Sequence, residues 1–209
     1  MTTLVVNPLT LSPHNGGLTQ SQFEDVFLDG QHRDGFGRSR VSQVQSLFDT
    51  QAQYHVGFRD WATLAAGTGA VSHLPLESSV QLSTGGTGNG AKMTRQTRLC
   101  WRYASGKSNQ IFRTFLFGAA VANLRRREGY FDENNGVFLE QTLTDLRWVV
   151  RSGVSGAPVD TVFAAQSAWN MDRLDGTGPS GLTLDITKAQ RMFIDLQWLG
   201  VGRVRVGFD

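Results

Sequence analysis

The stretch Gly129-Tyr130-Phe131-Asp132-Glu133-Asn134-Asn135-Gly136-Val137-Phe138-Leu139-Glu140 decides the fold class. Two apolar runs, Tyr130-Phe131 and Val137-Phe138-Leu139, flank Asn134-Asn135-Gly136, and Asn and Gly accept the positive φ that tight turns require. The pattern predicts a β-hairpin turning at Asn134-Asn135-Gly136. Just downstream, Leu146, Trp148 and Val150 alternate with Arg147, Val149 and Arg151, a period of two that sends the two sets to opposite faces of a strand.

The same rhythm spreads outward. From Arg40 on, short apolar runs recur roughly every ten to fifteen residues between turn signals, the spacing of a β-sandwich or barrel. Residues 192–199 place Met192, Ile194, Leu196 and Trp198 on one face and Phe193, Asp195, Gln197 and Leu199 on the other, with both faces partly covered. Residues 203–208 turn Val204, Val206 and Phe208 inward. Further strands are expected at 54–61, 77–83, 94–103 and 111–117, all rich in β-branched or aromatic residues. Helix evidence is thin: residues 118–127 make either two or three helical turns or an extension of the preceding strand, and 187–190 one short turn. The expected fold is all-β, an antiparallel β-sandwich of jelly-roll-like type with long loops, over residues 41–209. Residues 1–40, rich in Asn, Gly, Ser, Thr and Gln and holding Pro8, Pro13 and Gly16-Gly17, are expected to form an extended N-terminal arm, with plain terminal disorder as the alternative. The chain stops at Asp209 inside a strand-like alternation, so it is expected to be part of something longer.

Composition agrees with that class. In 209 residues charged side chains make up only 18%, against 24 glycines and 13 phenylalanines, a balance closer to β-sandwiches and assembly proteins than to solvated helical domains. Of the 20 basic residues only Lys92, Lys107 and Lys188 are lysine; arginine favours planar and interfacial contacts. A net charge of +2 is too small to imply nucleic acid. Residues 1–11 lack a basic leader, and no stretch of eighteen apolar residues occurs, so neither a signal peptide nor a membrane span is expected. The one cysteine, Cys100, has no internal partner; its neighbours Leu99 and Trp101 predict a buried, inert thiol in a half-buried strand.

The chemistry-bearing patterns mostly resolve into turns. The glycine-rich run from Thr84 to Lys92 lacks the glycine-lysine-hydroxyl ending of a phosphate loop and predicts a flexible connection. Asp132, Asn134 and Gly136 open like a calcium loop, but the closing glutamate is missing and the hairpin uses the same residues. Asp172 and Asp175 before Gly176 fit ordinary turn chemistry. His14, His32, His55 and His73 are scattered in no metal or triad spacing. Trp61, Trp101, Trp148, Trp169 and Trp198 sit in apolar runs and are expected in the core. Arg125-Arg126-Arg127 is the one dense basic cluster: it fits a nucleic-acid backbone or an acidic protein patch, and a solvated strand end or an interface with a neighbouring subunit is the stronger expectation. No catalytic residue, cofactor site or metal site is expected.

The segment QSAWNMDRLDGTGPSGLTLDITKAQRMFIDLQWLGVGRVRVGF, residues 166–208, resembles structural proteins of tailed phages from marine and environmental viral sequences. FGRSRVSQVQSLFDTQ from Phe36, RQTR from Arg95, ASGKSNQIF from Ala104 and GYFDENNGVFLE from Gly129 are similar to the same family, so the likeness spans roughly residues 36–208. It implies a virion protein of β-sandwich-like fold, belonging to fibres, the tail apparatus or the capsid exterior, and supplies no catalytic residues. Members tend to continue beyond the position of Phe208. Within the segment, Gly176, Gly178, Pro179 and Gly181 shape a long loop that Trp169 and Trp198 are expected to anchor onto the sheet. The role expected is a non-enzymatic docking module of the tail or fibre, made in the host cytoplasm and assembled with other virion proteins. A homo-oligomer follows, a trimer foremost, with a host receptor met through a more distal part. Capsid decoration or a head fibre is the alternative, a tail-associated polysaccharide depolymerase a minor one, and a packaging protein that binds DNA through Arg125-Arg126-Arg127 the last.

Overall fold

The computed structural model describes residues 44–86, 90–101, 104, 107–198 and 202–209. The arm expected at residues 1–40 lies outside them, as do His14, His32 and the centre of the glycine-rich run. The described chain is all-β and its ladders are antiparallel. The strands are β1 (Trp61–Ala66), β2 (Ala70–Leu74), β3 (Ser79–Ser83), β4 (Lys92–Thr97), β5 (Asn109–Phe115), β6 (Arg126–Phe131), β7 (Gly136–Gln141), β8 (Leu146–Ser152), β9 (Val159–Ala165), β10 (Gln190–Trp198) and β11 (Gly202–Phe208). They form two-stranded pairs β1-β4 and β2-β3, a three-stranded sheet ordered β11-β10-β5, and a four-stranded meander ordered β6-β7-β8-β9. Two single turns of 3-10 helix, Pro75–Glu77 and Gln166–Ala168, complete the regular structure.

The described residues cluster into two compact units. The larger takes in what is described of 45–103 and 111–194 with 207–209; the smaller holds Val44 and what is described of 104–110 and 195–206. In the smaller unit Asp195 and Gln197 are buried, and Arg205 Nη2 donates to Asp195 Oδ2 at 3.0 Å.

In the larger unit the meander explains itself from its sequence. The hairpin forms where expected, with a four-residue loop: the Asp132 N–H donates to the Asn135 carbonyl at 2.8 Å, and Asp132 Oδ1 accepts the N–H groups of Asn134 and Asn135 at 2.7 and 2.6 Å. Asp132 therefore closes the turn. Gly136, with φ of 137°, pairs with Phe131 so closely that a Cβ there would lie 2.3 Å from the Phe131 Cα, which only glycine avoids. Register pairs Phe138 with Val149 and Glu140 with Arg147 on one face, and Leu139 with Trp148 and Val137 with Val150 on the other, matching the period of two. Leu139 and Trp148 are buried on the second face, where Phe208 packs against Trp148 at 6.2 Å between ring centroids. A β-bulge on β9 lies opposite the step from Trp148 to Val149. The other pole of the core is Trp61, 6% exposed, with the guanidiniums of Arg95 and Arg113 at 4.5 and 4.8 Å from its ring and Arg113 paired to Glu128 at 2.7 Å.

Several expectations are corrected. Residues 54–61 are not a strand: Gly57, at φ of 76°, turns the chain so that the Asp60 and Trp61 N–H groups both donate to its carbonyl, and β1 begins where the expected strand ends. The strand expected at 94–103 stops at Thr97, whose hydroxyl donates to the Leu99 carbonyl and bends the chain away. Cys100 consequently lies outside any strand and is exposed, not buried. Residues 118–125 neither form a helix nor extend β5, because Gly118 and Asn123 both take positive φ and Arg126 already pairs with Gln141 in β6. At 187–190 there is a hydrogen-bonded turn without a helix, its Lys188 N–H bonded to the Asp185 carbonyl. β2 and β9 arise where no strand was expected.

Candidate functional site

The first face of the meander carries an arginine lattice. Arg127 Nε and Arg147 Nη2 donate to the two oxygens of Glu140 at 2.7 and 2.6 Å, while Arg127 Nη2 and Arg151 Nε reach Asp160 at 3.2 and 2.7 Å. Beneath them Phe138 is fully buried, with the Arg127 and Arg151 guanidiniums 4.9 and 5.4 Å from its ring centroid. Burial alone pushes the Glu140 carboxyl up, but the hydrogen bonds from Arg147 and Arg127 outweigh it and hold the group below its ordinary value. Arg151 likewise holds Asp160 below its ordinary value. Glu140 and Asp160 are therefore counter-ions fixed by arginine, poorly placed to shuttle protons.

Arg125-Arg126-Arg127 does not act as one basic patch. Strand alternation sends Arg127 into the lattice and Arg126 to the opposite face, where its Nη1 donates to the Ala119 carbonyl at 2.7 Å and Gln141 Oε1 at 2.8 Å. Arg125 stays exposed ahead of β6. It lines an open cleft of about 730 Å³, with Asn123 and Leu124 beside it and Leu143, Asp145 and Arg147 from the β7–β8 turn and its flank.

The loop after β9 is organised by Asp172. Its Oδ1 accepts the Leu174 N–H and its Oδ2 the Ser180 N–H, both at 2.8 Å, and these bonds, with the Ser180 hydroxyl first among them, keep its carboxyl below the usual range. A Cβ on Gly178 would lie 2.1 Å from Asp172 Oδ1. Gly176, at φ of 86°, donates to the Leu182 carbonyl and Gly181, at φ of 67°, to that of Gly178, each at 3.0 Å. Pro179 is exposed between them. Trp169 stacks on Phe208 at 5.7 Å; Trp198 ends β10, and its side chain lies outside the description. Asp175 accepts the Thr177 N–H at 2.9 Å in an ordinary aspartate turn. His55 is exposed and accepts the Gly57 N–H at 2.9 Å; His73 is half-buried in β2 with Nε2 2.7 Å from the Ala52 carbonyl. Among the described residues no three His, Cys, Asp or Glu side chains gather as a metal set.

At the outer edge of the meander, the β8–β9 hairpin exposes Val150, Val154, Val159, Val162 and Phe163, with Val154 93% and Val159 51% accessible. Sequence reading missed this edge because Val-Asp-Thr-Val-Phe-Ala-Ala alternates poorly, and it missed Glu140 because its role depends on register; Asp172, read as turn chemistry, closes a wider loop than the sequence signalled. No family model, curated protein or solved structure matches the chain.

Proposed function

We propose that this chain is a non-enzymatic structural protein of a phage virion, a module that docks within the tail or fibre apparatus beside other virion proteins. The observation that carries the reading is the apolar β8–β9 edge. β9 ends the four-strand order, presents Val159, Val162 and Phe163 to solvent, and has its one charge, Asp160, already neutralised by Arg151 and Arg127. Soluble monomers rarely leave such an edge uncovered, since unpaired strand backbone and apolar side chains both invite a partner. A second copy can approach it without charge repulsion, so the partner assigned is this chain itself in a closed homo-oligomer. A trimer leads, which requires the β9 edge to meet a different surface of the neighbour. The motif set over residues 36–208 supports the virion setting, and the arginine-locked acids support a structural part.

Electron microscopy of labelled particles tests the location: label on the tail or fibre is expected. Label on the head instead replaces this reading with a capsid decoration protein, and label-free particles overturn both. Size-exclusion chromatography with light scattering tests the assembly, and a monomer at every concentration, in purified protein and in dissociated virions alike, overturns the oligomer.

A further inference from the structure

We infer that the cleft beside Arg125 is a binding site for an acidic sugar, a pyranose carrying a carboxylate. The inference goes beyond the virion reading and stands apart from it, because it rests on the cleft alone. Its volume of about 730 Å³ falls in the range of small-ligand sites, on the order of 300–1,000 Å³.

The two cationic walls differ in a useful way. Arg147 is fixed by Glu140, which takes its Nε and Nη2 at 2.9 and 2.6 Å. Arg125 makes no hydrogen bond or ion pair to any described residue, so its five N–H donors are available to a ligand anion, and a guanidinium grips a carboxylate bidentately. A plain anion site would stop there. This cleft also holds Asp145, whose Oδ2 accepts the Thr144 hydroxyl at 3.2 Å, leaving its other oxygen to accept from a ligand hydroxyl. A carboxylate in an anion site repels a bare anion but suits a ligand that carries hydroxyls next to its charge. Leu124 and Leu143 supply apolar surface for the C–H face of a ring. Among the described residues that line the cleft none is aromatic, so they offer no stacking platform of the kind a nucleobase or a neutral sugar would use.

Calorimetric titration of the whole chain with glucuronate, glucose and sodium sulfate tests the site. Expected are binding of glucuronate, none of glucose, sulfate weaker than glucuronate, and an affinity for glucuronate reduced about tenfold or more in Arg125→Ala, the loss of one charge-assisted contact. Arg125 is exposed and bonded to nothing described, so the variant keeps the wild-type melting temperature, which is measured alongside. Three results overturn the inference: no glucuronate binding, sulfate binding as tightly as glucuronate, or Arg125→Ala binding glucuronate as well as the wild type does.

Discussion

Glu140 is 2% exposed and holds two half-buried guanidiniums, so removing its charge acts on three groups at once. Glu140→Gln keeps the volume and one acceptor oxygen but leaves Arg147 without a counter-ion and Arg127 with only its 3.2 Å contact to Asp160. Breaking a buried pair from one side costs about 3–5 kcal/mol, and the partial exposure of both arginines brings the expected loss to about 2–3 kcal/mol. Urea unfolding followed by tryptophan fluorescence measures it; a loss under about 0.5 kcal/mol, the range of an ordinary surface change, would show that the lattice is ornamental. Phe138→Leu probes the layer below. Its volume is nearly kept, yet the ring face under Arg127 and Arg151 is lost, so a cost of about 1–2 kcal/mol is expected from packing and cation–π attraction together.

At the scale of elements, the post-β9 loop and the β8–β9 edge make separate predictions. Asp172→Ala removes the acceptor of the Leu174 and Ser180 N–H groups, so the loop is expected to open while the meander stays folded. Limited proteolysis should cut faster within residues 172–181 at an unchanged melting temperature; equal cutting rates would refute the organising role of Asp172. The double change Val162→Lys with Phe163→Lys places two like charges on the open edge and is expected to shift the oligomer to smaller species in light scattering. These elements were unequally legible in the sequence. The hairpin and β8 were readable because their signals are local: Asn-Asn-Gly for the turn and a strict period of two for Leu146 to Arg151. The run at 54–61 misled because its aromatic residues carry strand propensity, whereas the positive φ of Gly57 sets the geometry. Arg125-Arg126-Arg127 looked like one patch because sequence adjacency hides alternation; register divides it among the lattice, the core side and the cleft.

For the molecule as a whole, the lattice makes stability depend on acid. Glu140 and Asp160 sit below their ordinary values of 4.5 and 3.8 in the folded chain, so the unfolded chain binds protons more readily than the folded one. Their contribution is complete above those ordinary values and is lost as pH falls through the lower folded ones. Asp160 contributes the smaller share, its side chain being 32% exposed and open to screening, while Glu140, at 3%, is screened little. The urea midpoint is therefore expected to hold level from about pH 7 to about pH 5 and then fall steeply as the pH drops further. In Glu140→Gln the midpoint starts lower and falls less, because the principal titrating partner is gone, and the two curves converge in acid. Midpoints that run parallel from neutral pH to pH 2 would mean that Glu140 has no depressed value in the folded chain, and the lattice would then be a surface arrangement without hold on the sheet beneath it.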